Sequence, residues 1–186
     1  MDAIALLKQD HKTVRALFRR FERTAPAAMK AQRDLAARII EELSRHAAIE
    51  EQLFYPAVRE TFPDDEEYVL EALEEHHAAK SLLAEIDRLS PTHERFRAKL
   101  MVLIESVERH IEEEELTVFP ELRRAMGRKQ LAELGSALQA AKATAPTKPH
   151  PHLPDEPPLQ PLVGVAAGVV DLARTAGESA LKRIRC

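Results

Sequence analysis

A repeated pattern of histidine and glutamate constrains this chain more than any other feature of its sequence. In each of two copies, a histidine precedes a glutamate by four positions, and a second glutamate follows at once. An aromatic residue and a proline stand nine and ten positions after the histidine in both copies. A further histidine lies 35 residues upstream in the first copy and 34 residues upstream in the second. The copies contain His11, His46 and Glu50 in the first half of the chain and His76, His110 and Glu114 in the second.

The spacing within each copy is typical of an α-helix. Residues four apart lie on the same face of a helix, so each histidine is expected to stack over its glutamate. Apolar residues around them recur at spacings of three and four, as at Val14, Leu17 and Phe21. A low aromatic content of 4% and only five glycines also favour helices over strands. We therefore expect an all-α, antiparallel up-down-up-down four-helix bundle.

Breaks in the periodic pattern predict where the helices begin and end. Four long helices are expected over about 2–23, 27–60, 66–89 and 91–126. Pro56 falls late in the second of them and predicts a kink, because proline removes a backbone donor and clashes with the preceding turn. Ser90 before Pro91 fits an N-cap followed by proline at the first helical position.

The chain is expected to divide into a bundle and three shorter segments. The four-helix bundle covers residues 1–126, and a short fifth helix falls within 127–143. Proline makes up seven of the 18 residues at 144–161, which predicts an extended or disordered linker. An amphipathic C-terminal segment at 162–186 follows. It could pack on the bundle, contact a protein partner or a second copy of the chain, or be disordered.

Composition argues against several other classes of protein. A formal charge of −4 and the lack of a basic stripe disfavour nucleic-acid binding. The continuous apolar run at 162–170 has nine residues and is too short to span a bilayer. The single cysteine, Cys186, cannot form an internal disulfide, and the N-terminus lacks the features of a signal peptide. We expect a cytoplasmic protein.

Two inward glutamates beside four inward histidines predict shared cations. A buried carboxylate without a cation or hydrogen bonds costs several kcal/mol or takes up a proton. At the rise of an ideal helix, all four histidines fall within about a turn and a half of one level. Six protein ligands are too many for one tetrahedral zinc and suit two metal ions, with bridging carboxylates and open positions for a small ligand.

Neighbouring residues offer alternative ligands. His77 is adjacent to His76, but aligning the two halves of the chain matches His76 with His11. Tyr55 is a further candidate ligand. It lies nine residues after His46, about 180° away on an ideal helix, so only a distortion of the helix would bring it in. Tyr55 and Phe119 are expected to be packing residues.

With this order of ligands, the chain resembles the hemerythrin-like HHE cation-binding domain over about residues 2–126. The phrase Asp10-His11 and the two Glu-Glu-x-x-x-aromatic-Pro tails add to the resemblance. It implies a non-heme di-iron centre in a four-helix bundle, with two Fe ions bridged by two glutamates and an oxo or hydroxo group. Manganese or zinc could occupy the same ligands. The implied ligands are His11, His46, Glu50, His76, His110 and Glu114.

Two positions depart from the hemerythrin pattern. Hemerythrins carry a fifth histidine four residues before the histidine of the third helix, where this chain has Ala72. They also place the last carboxylate five residues after its histidine, which would select Glu115, whereas the internal repeat favours Glu114. A missing fifth histidine leaves an additional open position on one iron, which favours redox chemistry on peroxide or NO over simple O₂ carriage.

These observations lead to three hypotheses about function. The first is binding of O₂, NO or iron, for sensing, storage or a redox-stress response. The second is a di-iron enzyme that acts on peroxide, as a catalase does, or on NO. The third is a regulatory interaction protein that acts through its C-terminal segment. The sequence contains no Ser-His-Asp arrangement, glycine-rich phosphate loop or Cys-x-x-Cys motif that would indicate another chemistry.

Overall fold

The computed structural model describes residues 1–64 and 66–152, and every regular element within them is helical. The predicted C-terminal segment, Cys186 and half of the proline-rich linker lie outside the described residues. The elements in chain order are α1 (Ala3–Arg23), α2 (Met29–Ile49), a π-helical turn (Glu50–Phe54), α3 (Tyr55–Thr61), α4 (Glu66–Arg88), α5 (Glu94–Glu113), a second π-helical turn (Glu114–Val118), α6 (Phe119–Ala125) and α7 (Arg128–Thr144). The predicted all-α bundle with a short fifth helix is confirmed.

Buried side chains form two hydrophobic clusters along the bundle. One cluster surrounds Phe18, Phe21 and Phe96, and the other surrounds Phe54 and Phe119. The histidine level lies between them, because His11 is flanked on the buried stripe of α1 by Leu7 of one cluster and Val14 of the other. The polar centre is thus enclosed by apolar side chains on both sides.

The distortion expected at Pro56 takes the form of a widened turn just before it. Residues Glu50–Phe54 are π-helical, and Pro56 occupies the first turn of α3, where its missing N–H matters least. The second copy of the repeat has the same arrangement, with the π-helical turn Glu114–Val118 before Pro120. A π-helical turn accommodates one extra residue, so the side chains that follow it are rotated relative to a continuous α-helix.

The prediction for the start of α5 was wrong. The helix begins at Glu94, and His93 is its N-cap, with a ring nitrogen that accepts a hydrogen bond from the Arg95 backbone N–H at 3.1 Å. Ser90 does not cap the helix, because its carbonyl closes a turn with the His93 N–H at 2.9 Å and its hydroxyl contacts Thr92. The local turn therefore moved the cap three residues along the chain.

The fifth helix packs against the N-terminal end of α1. Leu131, Leu134 and Leu138 are buried in the cluster that contains Phe54 and Phe119. A Cβ atom at Gly135 would lie 2.5 Å from the Met1 carbonyl oxygen, so this close approach requires glycine. No helix among the described residues is long and apolar enough to cross a membrane. The cytoplasmic location stays a prediction.

Candidate metal centre

Four helices each bring one histidine to the same level of the bundle. His11 lies on α1, His46 on α2, His76 on α4 and His110 on α5, and each is at most 7% exposed. Two glutamates, Glu50 and Glu114, are fully buried at the first position of the two π-helical turns. The structure therefore brings all six predicted metal ligands into one buried cluster.

Four of these residues form a first donor group. One donor atom each from His11, His46, Glu50 and Glu114 lies within 4.8 Å of the others. The His46 Nε2 atom is 3.1 Å from the Glu50 Oε2 atom, and the His11 Nε2 atom is 3.3 Å from the Glu114 Oε2 atom. Two imidazoles and two carboxylates are a donor set that iron, zinc and manganese accept.

A second donor group consists of Glu50, His76 and His110. The Oε2 atom of Glu50 is 3.5 Å from the His76 Nε2 atom, and the Oε1 atom of Glu114 is 3.7 Å from the His110 Nε2 atom. Each carboxylate therefore faces one histidine from each half of the chain. This is the position from which a carboxylate can bridge two ions.

Tyr55 lies at the second donor group. Its hydroxyl oxygen is 3.0 Å from the His76 Nε2 atom, 3.2 Å from the His110 Nε2 atom and 3.3 Å from the Glu114 Oε1 atom. The π-helical turn that precedes Tyr55 supplies the rotation that an ideal helix lacks. The hydroxyl thus lies within 3.3 Å of donor atoms of three of the clustered side chains.

Several buried polar atoms in the cluster have no hydrogen-bond partner among the described residues, although some lie within ion-pair distance of one another. They include both carboxylate oxygens of Glu50, the Glu114 Oε2 atom and the Nε2 atoms of His11 and His46. Leaving buried charged or polar atoms unpaired costs several kcal/mol, and a cation between them would satisfy all of them at once. The residues present therefore fit a metal centre.

The pKa values of the two glutamates indicate the same need for positive charge. Burial, followed by the charge of Glu114, raises the pKa of Glu50 well above its ordinary value. Burial acts in the same direction on Glu114, but His110 and His11 outweigh it and lower the pKa of Glu114 to about 2. Two adjacent carboxylates can both ionise only when cations offset their repulsion. Metal ions would do so here.

Each histidine also faces a carboxylate on its outer side. The distances from Nδ1 are 2.9 Å for His11 to Glu115, 3.7 Å for His46 to Asp10, 3.1 Å for His76 to Glu51 and 2.8 Å for His110 to Glu75. A carboxylate next to Nδ1 favours the tautomer with its proton there, which directs the Nε2 lone pair inward. The Nε2 atoms of His76 and His110 face each other at 3.2 Å, an arrangement that a cation would stabilise.

Every one of these outer carboxylates contacts a cation in turn. The pairs are Glu115 with Arg15, Asp10 with Lys142, Glu51 with Lys80 and Glu75 with Arg109. Lys80 and Glu51 form a buried pair, with Nζ 2.9 Å from the carboxylate, whereas Arg109 is largely exposed. The centre is therefore surrounded by four histidine–carboxylate–cation chains. Three of them are hydrogen-bonded at the histidine, and the fourth, at His46, has a longer contact of 3.7 Å.

The structure distinguishes the alternative ligands that the sequence left open. His76 faces the centre and His77 is exposed. Glu114 lies among the donor atoms, whereas Glu115 contacts the outer nitrogen of His11. Sequence reasoning missed Asp10 and Glu75 as partners of histidines. Their shared position, one residue before His11 and one residue before His76, was the available signal.

Comparisons with known proteins agree with this geometry. The chain is 28% identical over 134 residues to an uncharacterized hemerythrin-like protein of Schizosaccharomyces pombe, which covers 72% of this chain and 66% of that protein. It is 28% identical over 138 residues to a DNA nickase of Nostoc sp., which covers 74% of this chain and 38% of that protein. The chain therefore spans only part of the length of both relatives.

A solved structure has the same fold. The crystal structure of a hemerythrin HHE cation binding domain-containing protein from Mycobacterium kansasii matches with a TM-score of 0.66 at 22% identity, covering 77% of this chain and 86% of that one. The sequence model described as the Hemerythrin HHE cation binding domain matches residues 2–122, which include all six clustered histidines and glutamates. The chain belongs to the hemerythrin HHE cation-binding domain family.

Proposed function

We propose that the buried cluster holds two iron ions and binds a small uncharged ligand such as O₂, NO or hydrogen peroxide. The observation that carries this proposal is the set of inward donor atoms without hydrogen-bond partners among the described residues: the Nε2 atoms of His11 and His46, both oxygens of Glu50 and the Glu114 Oε2 atom. Each carboxylate also lies between histidines of both halves of the chain. The first ion would be held by His11 and His46, the second by His76 and His110. Glu50 and Glu114 would be shared.

A cavity on one side of the cluster supports the binding of a small ligand. It measures about 30 Å³, lies between α2, α4 and α5, and reaches His46, His76 and His110. Its remaining lining is mostly apolar, with Leu43, Leu83, Val107 and Ile111, and also includes Glu75, Lys80 and Ser106. A space of this size holds about one water-sized molecule, and an apolar lining favours a neutral ligand over an anion.

Bound iron would supply an electron-transfer centre with an open coordination position for such a ligand. This chain's own residues would fix its environment. Glu50 and Glu114 would offset the charge of the ions, and the outer carboxylates would hold each imidazole with Nε2 inward. Tyr55 would either occupy a coordination position itself or hold a proton beside the ligand.

The position of Tyr55 favours a second candidate function, the disproportionation of hydrogen peroxide to water and O₂. Its hydroxyl is 3.0 Å from the His76 Nε2 atom, on the side of the centre that the cavity reaches. A phenol there could hold and return the proton that moves between peroxide molecules. The proposed regulatory role of the C-terminal segment concerns residues that the structure does not describe.

Metal analysis of the purified full chain tests the proposal. We expect two iron ions per chain and a visible absorption band that changes reversibly on O₂ or NO cycling. Rapid O₂ evolution from peroxide would instead favour the enzyme, provided that it is lost in His46→Ala and His110→Ala and kept in His77→Ala. A chain loaded with excess Fe(II) without air that retains no metal would contradict both functions.

A further inference from the structure

Four cationic side chains contact the outer carboxylates, and one of them lies in a different part of the chain from the other three. Arg15, Lys80 and Arg109 lie on α1, α4 and α5, within the residues that the family model matches. Lys142 lies on α7, beyond residue 122, where the match ends. A helix outside the family domain therefore contributes the charge that faces Asp10.

The contact connects α7 to the first donor group through three side chains. The Lys142 Nζ atom is 2.5 Å from the Asp10 Oδ1 atom, and the Asp10 Oδ2 atom faces the His46 Nδ1 atom at 3.7 Å. On its other side, the His46 ring presents Nε2 to Glu50 at 3.1 Å. Asp10 is only 6% exposed, so without Lys142 its carboxylate would be a buried anion beside a neutral ring.

The packing of α7 fixes the position of Lys142. Leu138, one helical turn earlier, is fully buried, and Leu134 and Leu131 extend the same buried stripe. Gly135 lies against the backbone of residues 1–3, where a Cβ atom would come within 2.7 Å of the Ala3 nitrogen. Small displacements of α7 would therefore move Lys142 relative to Asp10.

We propose that Lys142 is a positioning residue for the first donor group, and that docking of α7 thereby sets metal affinity at His11 and His46. The inference rests on the proposed metal centre. Residues that orient a metal-binding histidine typically change metal affinity 10- to 100-fold when they are removed. Lys142 acts one step further out, through Asp10, so we expect a change of about 10-fold.

The test isolates each donor group in the full chain. A His76→Ala background keeps the whole first donor group, and a His11→Ala background keeps the second. We would add Lys142→Met to each and measure Co(II) and Fe(II) dissociation constants by competition with a chelator. Affinity should fall about 10-fold in the first background and stay unchanged in the second. Lys142→Arg should restore most of the loss, since it keeps the charge.

Lys129→Met is the matched control. It removes the same charge from the same helix, but Lys129 is 88% exposed and pairs only with Glu133 in the part of the chain that the structure describes. It should change neither dissociation constant. Equal losses in both backgrounds would mean that Lys142 acts through general stability, and would overturn the proposal.

A second variant tests the role of helix docking. Gly135→Ala should displace α7 and weaken metal binding in the His76→Ala background, while also lowering the melting temperature of the metal-free chain. Unchanged metal binding in either Gly135→Ala or Lys142→Met, with two ions bound by the unmodified chain, would overturn this inference alone. An unmodified chain that binds no metal would overturn the proposed function as well.

Discussion

Tyr55 and Phe119 occupy equivalent places in the two halves of the molecule, yet they do different things. Each follows a π-helical turn, precedes a proline and is 1% exposed. The Tyr55 hydroxyl reaches the Nε2 atoms of His76 and His110, whereas the Phe119 ring stacks on His11 with centroids 5.7 Å apart and planes at 9°. The Tyr55 hydroxyl is therefore one difference between the two sides of the centre.

We expect this difference to separate the side of the proposed centre that holds metal most tightly from the side that determines its chemistry. Both sides supply two histidines and share the same two carboxylates. Among the described residues, the side with Tyr55 combines a phenol with a cavity that reaches both of its histidines. On the side of the first donor group, Phe119 covers the ring of His11. We therefore expect that group to hold an ion tightly, and the second to be the reactive side.

The largest effect should come from a residue that both sides share. In Glu50→Gln, the shared carboxylate loses its charge, and the amide can no longer bridge two ions. We expect the iron content to fall from two ions per chain to fewer than one, measured by elemental analysis after desalting. Glu112→Gln is the control, because Glu112 is exposed on the same helical turn as the centre. Equal iron content in the two variants would refute the shared role.

The next largest effect should be a difference in stability between two ion pairs around the centre, Lys80–Glu51 beside His76 and Arg15–Glu115 beside His11. The side chains of Lys80 and Glu51 are each 9% exposed, whereas those of Arg15 and its partner Glu115 are each 23% exposed. Removing one partner of a buried pair leaves an uncompensated charge. Lys80→Met should therefore lower the free energy of unfolding of the metal-free chain by about 3 kcal/mol.

Arg15→Met should cost only about 1 kcal/mol, because water screens the more exposed Glu115. Urea denaturation measures both values in the same buffer. Costs of equal size would show that the two sides are electrostatically alike.

Exchanging the aromatic residues should alter the centre more modestly. Tyr55→Phe makes the two sides alike, and affinity for the second ion should fall about 10-fold as the hydroxyl is lost. The visible spectrum should change as well. In Phe119→Tyr, a new hydroxyl would be buried beside His11, and we expect about 1–3 kcal/mol of destabilisation unless it gains a partner. An unchanged spectrum in Tyr55→Phe would show that the hydroxyl only packs.

The smallest effect should come from the neighbouring histidine that faces away from the centre. His77 is exposed, so His77→Ala should leave both iron ions in place and shift the melting temperature little. His76→Ala should remove the second ion and keep the first. Loss of iron in His77→Ala would mean that the two adjacent histidines had been assigned in reverse.

Much of the fold and the donor set could be predicted because they depend on local periodicity. The spacing of His46 and Glu50 places them on one face of any helix, and antiparallel helices of similar length bring the four histidines to one level. Near the kink predicted at Pro56, the helix is distorted over Glu50–Phe54, where a π-helical turn keeps it continuous.

The outer contacts could not be predicted, because their partners lie on different helices. Glu51 contacts His76, which is 25 residues away in the sequence, and Glu115 contacts His11, which is 104 residues away. Side chains of this kind look like solvated helix faces in a sequence, since many helices carry Glu-Glu pairs on exposed turns. Only the packing of one helix on another turns them toward a histidine.

By itself, the sequence determined which side chains share a helix face, since that follows from the 3.6-residue period of the α-helix. This was enough to specify an all-α bundle with four inward histidines and two inward glutamates. Only the tertiary structure decided that Tyr55 points at His76 and that Lys142 faces Asp10. Those contacts depend on the rotation added by a π-helical turn and on the docking of a fifth helix, and neither is a local property of the chain.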